Sequence, residues 1–199
     1  MMPSAAFWIP AMAGLAALVG CGGFGRVNQG QVIEYQRATG LVTIISDSNY
    51  RDPANPRYDV LPPVTVHIPK DPREMGPEPE AGQLLSLDWR GRRLVIFDTA
   101  AQALKIIPYT LIEQSDGISP DDARVTKTRP PIVDRAKKTV TLYARRDRKL
   151  VVISVADEYF RLPDDTWKAG DEIRYYYKDP ARALRLMNVS KTDVNRAGK

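Results

Sequence analysis

The chain has almost no cysteine or histidine. Cys21 is the single cysteine and His67 the single histidine among 199 residues. One cysteine excludes an internal disulfide, so the fold must rest on its core alone even in an oxidising compartment. The same scarcity excludes a zinc site built from thiolates or several imidazoles. A Ser–His or Cys–His engine needs its imidazole beside a nucleophile. Here His67 stands in the alternating run Val64–Ile68, where it reads as a half-exposed strand residue, and no G-x-S-x-G word occurs. Also missing past residue 20 is any long window with a 3.6-residue apolar period, so helices should be few. Paired carboxylates remain as a catalytic option. Asp71, Asp164 and Asp165 each follow a proline closely, and turn capping accounts for them. No catalytic residue, metal ligand or cofactor is therefore expected.

What is abundant is punctuation. Pro 16 and Gly 13 fit many short strands joined by turns. Gln31–Tyr35 and Leu41–Ser46 are apolar and β-branched, separated by a turn ending in Gly40. Val64–Ile68, Leu84–Trp89, Leu94–Phe97 and Ala103–Ile107 continue the strand pattern. After a polar stretch, Ile132, Thr139–Tyr143, Leu150–Val155, Phe160–Pro163, Asp171–Lys178 and Ala183–Val189 repeat it. Three words recur in the same order. Ile68-Pro69-Lys70-Asp71 answers Leu162-Pro163-Asp164-Asp165, Ala81-Gly82 answers Ala169-Gly170, and Ala101–Ile106 answers Ala181–Leu186. An internal duplication is the expectation.

Charge is uneven. Residues 1–120 carry 10 Lys and Arg against 12 Asp and Glu, while residues 121–199 carry 19 against 12. The basic second half invites an anionic partner. In strand geometry Ile173, Tyr175 and Tyr177 share one face, expected to be core. Arg174, Tyr176 and Lys178 share the other. With Arg145, Arg146 and Arg148 of a neighbouring turn, that second face is the candidate ligand-binding surface, with an ordinary solvated strand face as the alternative.

Residues Ala5 to Gly20 carry no charge and end in small residues, as an export signal does. The run is shorter than the roughly 20 residues that span a bilayer, though a retained transmembrane anchor is the alternative. Leu18-Val19-Gly20-Cys21 resembles the lipobox of bacterial lipoproteins. That resemblance implies a signal peptide over residues 1–20, removed so that Cys21 becomes an N-terminus acylated with palmitate-type chains. Gly22 rather than Asp after the cysteine implies the outer membrane, facing the periplasm. More than one acyl chain makes such attachment stable.

The strand order, with Trp167–Tyr175 fitting an "x-x-G-D-x-I-x-Y" return segment, resembles the OB-fold and its small relatives. The resemblance implies an all-β fold of two tandem small OB-like β-barrels. The boundaries expected are a flexible tether at 21–29, a first barrel at 30–113, a linker at 114–131, a second barrel at 132–192 and a loose tail at 193–199. The function expected is a non-catalytic adaptor or scaffold, held to the membrane by lipid and contacting other envelope proteins. The alternative is a module binding an anionic glycan or lipid headgroup through the basic second barrel. A carboxylate-based hydrolase is the third reading, and nucleic acid is not an expected partner.

Overall fold

The computed structural model describes residues 24–192. Its first hairpin pairs β1 (Arg26–Gln36) with β2 (Leu41–Asp47). Gly40 closes the turn at φ +66°, a conformation that a side chain resists, and its N–H donates to Gln36 O at 2.9 Å. Strand β3 (Tyr58–His67) returns antiparallel to β2. The chain then leaves this sheet and re-enters it only near its end, as β11 (Glu172–Tyr177) and β12 (Ala183–Asn188). The resulting order is β12-β11-β1-β2-β3. The sheet curls until its outer strands touch: His67 N–H donates to Ala181 O at 2.9 Å, and His67 and Arg182 form a parallel bridge. Inside the curl lie Val32, Val42, Ile44, Val66, Ile173, Tyr175, Ala183 and Leu186. Tyr175 and Tyr177 pack toward this core, in keeping with the expected alternation along β11.

The intervening residues build two further sheets. One is the meander β4 (Leu84–Asp88), β5 (Arg93–Asp98) and β6 (Ala103–Pro108). The other contains β7 (Thr110–Ser115), β8 (Ile132–Asp134), β9 (Thr139–Ala144) and β10 (Lys149–Ser154), in the order β7-β10-β9-β8. One hairpin device recurs. Arg92, Gln102, Lys138 and Arg148 each take a positive φ just before β5, β6, β9 and β10. In three of the four hairpins an aspartate at the end of the preceding strand accepts loop N–H groups: Asp88, Asp98 and Asp134. The largest core fills the space between these sheets and includes Leu94, Ile96, Ile107, Val140, Leu142, Val151, Ile153 and Trp167. Each such aliphatic side chain contributes about 1.5–3 kcal/mol on burial. Ile33, Ile45, Leu85 and Phe97 form a smaller cluster joining β1 and β2 to β4 and β5.

The all-β expectation and the scarcity of helix hold: the described residues contain one four-residue helix, α1 (Ala123–Thr126), and three short 3-10 turns. Two closed barrels in succession are not found among them. β11 and β12, expected to complete a second barrel, hydrogen-bond to β1 and extend the sheet begun by β1–β3. The physical reason is that alternation fixes which face of a strand is buried but leaves its partner open. The expected linker is also more structured than its polarity suggests. β7 runs to Ser115 and pairs with β10, and Ile118 is buried, its N–H donating to Arg148 O at 2.8 Å. Phe160–Pro163, expected to be extended, instead begins inside a 3-10 turn at Asp157–Arg161 that inserts Phe160 into the core. The expected signal peptide at 1–20, Cys21 and the expected loose tail at 193–199 lie outside the described residues. Among those described, no helix is long and apolar enough to cross a membrane.

Candidate functional site

The outer face of the five-stranded sheet carries polar residues on β1, β2 and β11 that a solvent-facing strand would expose. Here Gln29, Gln31, Asp47 and Glu172 are 3%, 4%, 4% and 8% exposed. They are covered because the small cluster of Leu85 and Phe97 presses on this face and the β9–β10 turn reaches over it. Buried polar groups need partners, and these form a chain. Arg146 Nη2 of the turn meets Glu172 Oε2 at 3.2 Å. Gln29 Nε2 donates to Glu172 Oε1, and Arg174 Nε donates to Gln29 Oε1 at 2.6 Å. Gln31 Nε2 donates to Leu84 O at 2.6 Å, carrying the contact into β4.

Arg145 completes the clasp from the same turn. Its Nη1 donates to Ser190 O at 3.0 Å, while Ser190 Oγ accepts the Glu172 N–H at 2.8 Å. Tyr58 borders the same seam. Burial pushes its hydroxyl pKa up strongly, the nearby Glu172 adds to this, and Arg146 opposes it. Asp47 Oδ1 accepts from Asn49 and Arg57 N–H at 2.8 and 2.7 Å, but its Oδ2 is buried without a partner.

The six proposed ligand-binding residues therefore separate. Arg145, Arg146 and Arg174 converge on the Glu172 seam, each engaged with the protein's own groups. Arg148 is exposed in the turn, where its backbone carbonyl receives the Ile118 N–H. Tyr176 lies over Gly25, where any side chain would overlap its ring, and opens onto a cleft of ≈ 690 Å³ with Glu74, Leu184 and Arg185. Lys178 is exposed at the end of β11. Gln29, Tyr58, Asp47 and Glu172 had no functional reading in the sequence. The one signal was the pair Gln29 and Gln31, two amides two residues apart on one face of β1.

Two further clusters lie elsewhere. A cleft of ≈ 350 Å³ at the junction of β3 and β12 is lined by Thr39, Gly40, His67, Ile68, Pro69, Lys70 and Arg182, bringing the single histidine beside two cations. On the other side, Glu80 takes Lys168 at 2.6 Å and Lys191 at 2.8 Å, and Lys191 also reaches Asp171 at 3.1 Å. Those hydrogen bonds, Lys168 first, hold the Glu80 carboxyl down at about 2. The turn aspartates have local partners: Asp71 Oδ1 accepts the Arg73 N–H at 3.0 Å, and Asp164 pairs with Arg135 at 2.6 Å.

Comparison with curated proteins and with solved structures finds no match. A family model does match, over residues 23–197, which takes in every strand of the fold and the whole polar seam. By that match the chain belongs to the family described as Domain of unknown function (DUF4881).

Proposed function

We propose that the protein is a lipid-anchored, non-catalytic scaffold or adaptor of the bacterial cell envelope. Acylated Cys21 tethers it to the outer membrane, and an all-β body faces the periplasm to hold other envelope proteins. The observation that carries this reading is the chain Arg146–Glu172–Gln29–Arg174. The cations best placed to receive a ligand stay exposed but are engaged by the protein's own groups, fastening one sheet to another, which favours a rigid platform. The short spacing between Cys21 and β1, which starts at Arg26, supports a body held close to its anchor. The curled sheet is read as a single OB-like unit, β1-β2-β3-β11-β12, with residues 68–171 inserted between its third and fourth strands. The parallel contact at His67 supports that reading.

Two measurements test it. The mass of the mature N-terminus should show Cys21 diacylated or triacylated, and Cys21→Ser should move the protein out of the membrane fraction. An unmodified thiol with residues 1–20 still attached removes the anchor. Cross-linking in cells should recover one envelope protein at fixed stoichiometry, and repeated failure to recover any removes the adaptor role.

A second reading, binding of an anionic glycan or lipid headgroup, draws support from the cleft that groups His67, Lys70 and Arg182. It predicts salt-sensitive binding that weakens in Lys70→Ala and Arg182→Ala. Absence of binding at low salt removes it.

A further inference from the structure

The most exposed apolar side chains near the start of the fold gather on one surface. Phe24 is fully exposed, and Val27 and Leu184 are 59% and 43% exposed. Val27 stands opposite Tyr176 across the β1–β11 pair, and Tyr176 shares its open cleft with Leu184. The ring of Tyr176 lies against Gly25, the residue that follows Phe24. Close to this surface in the chain are Arg26 at the start of β1, opposite Tyr177, Lys178 just after β11, and Arg182 just before β12, which also lines the His67 cleft; all three are exposed. None of the three has a carboxylate partner among the described residues, whereas nearby Arg185 is taken by Glu74 at 2.6 Å.

We propose that the face formed by Phe24, Val27, Tyr176 and Leu184, together with Arg26, Lys178 and Arg182, docks the body onto an anionic lipid bilayer. The proposal rests on the acylated Cys21 of the reading above. Chain length supplies the first argument. Three peptide units separate Cys21 from Phe24, and an extended chain spans at most about 3.6 Å per residue. Phe24 therefore lies within about 11 Å of an acylated Cys21 whatever path the chain takes. A surface this close to the anchor meets the headgroup region before it can meet a partner protein. Charge supplies the second argument. Cations close to an apolar centre suit the combination of acyl boundary and anionic headgroups, with each cation drawn to the surface within a Debye length. Tyrosine suits the same depth, its ring apolar and its hydroxyl wet.

The acylated sulfur leaves no free thiol, so one introduced cysteine labels uniquely. Mature acylated protein carrying Leu184→Cys, labelled with a polarity-sensitive dye, is reconstituted into vesicles of phosphatidylglycerol and phosphatidylethanolamine. Ile112→Cys on β7 is the control. The dye at 184 should report an apolar environment and be quenched by lipid-borne quenchers, while the dye at 112 stays aqueous. Lys178→Glu with Arg182→Glu should reverse the effect, as should high salt or vesicles of phosphatidylcholine alone. A dye at 184 as wet as the one at 112 overturns the proposal, and so does protection that persists in detergent without lipid. If mass measurement finds Cys21 unmodified, the anchor fails separately. The face is then tested with the unacylated chain by sedimentation with the same anionic vesicles. Binding weakened about tenfold or more by the charge reversal upholds the face, and no binding at low salt overturns it.

Discussion

Gly82 and Gly170 meet backbone to backbone, one just before β4 opens the second sheet and the other just before β11 returns the chain to the five-stranded sheet. A Cβ on Gly82 would stand 2.7 Å from Gly170 N, and a Cβ on Gly170 would stand 2.9 Å from Gly82 N. Both glycines converge on Val32: the Gly82 N–H donates to Val32 O at 3.1 Å, and a side chain at Gly170 would overlap that same oxygen. The two Ala-Gly words that look like echoes of each other in the sequence are thus the two sides of one crossing.

Because the obstructing atoms are backbone, neither site can yield by rotating a side chain. Gly170→Ala should cost about 3 kcal/mol and Gly82→Ala about 2 kcal/mol, the upper range for overpacking. Chemical unfolding measures both. A neutral Gly170→Ala variant would mean that the crossing is looser than its contacts imply.

Arg146→Ala leaves Glu172 buried with only Gln29 to satisfy it. The Arg146 side chain is 47% exposed and that of Glu172 10%, so water can follow once the guanidinium is gone. The cost should be about 1–2 kcal/mol, below the 3–5 of a fully enclosed pair. Glu172→Gln should cost less, since it keeps the shape and removes the charge. In the double variant the two losses should overlap rather than add, which a double-mutant cycle reads directly. Strict additivity would show that the two side chains do not interact.

Much of the strand inventory was legible because period-2 alternation and turn residues are local. β1, β2, β4, β5, β9 and β10 fall where Val, Ile and Leu alternate between Gly- or Asp-containing turns. Partnership was not legible, because β1 pairs with β11 across residues far apart in sequence. The matched words Ala101–Ile106 and Ala181–Leu186 illustrate the limit. Each enters the second strand of a hairpin through an aspartate-capped turn, with Asp98 Oδ1 accepting the Ala101 N–H and Asp179 Oδ1 the Ala181 N–H, both at 3.0 Å. Their likeness goes as deep as the hairpin, since one sheet has three strands and the other five. In the seam, Arg145, Arg146 and Arg174 were visible as cations. That they are taken by the protein's own groups depends on Glu172, Gln29 and Ser190, which only the folded sheets bring beside them.

Glu80 gives the fold an acid-side dependence on pH. Its folded carboxyl is held at about 2, below the 4.5 of an unperturbed glutamate, mainly by Lys168 and then Lys191. A depressed value means the stabilisation is fully present above about 4.5 and is lost as pH falls toward 2. Half of the Glu80 side chain is exposed, so solvent screens the pair and the effect should be roughly 1 kcal/mol or less. Unfolding followed between pH 5 and pH 2 should show a shallower decline in Glu80→Gln than in the parent. Added salt should narrow the difference. Identical pH profiles for the two proteins would remove Glu80 from the account.

Tyr58 works on the alkaline side and with the opposite sense. Burial, followed by the charge of Glu172, raises its hydroxyl above the ordinary 10, so the folded state holds the proton more tightly than the unfolded chain does. The unfolded chain releases that proton first, and stability should decline once pH rises past 10. Tyr58→Phe should remove this part of the decline. Arg146→Ala should push the hydroxyl higher still, because the cation opposing the shift is gone. Phenolate absorbance checks the order of events: Tyr58 should stay protonated until the protein unfolds, and ionisation of all nine tyrosines in one step below the unfolding transition would show that water already reaches the seam.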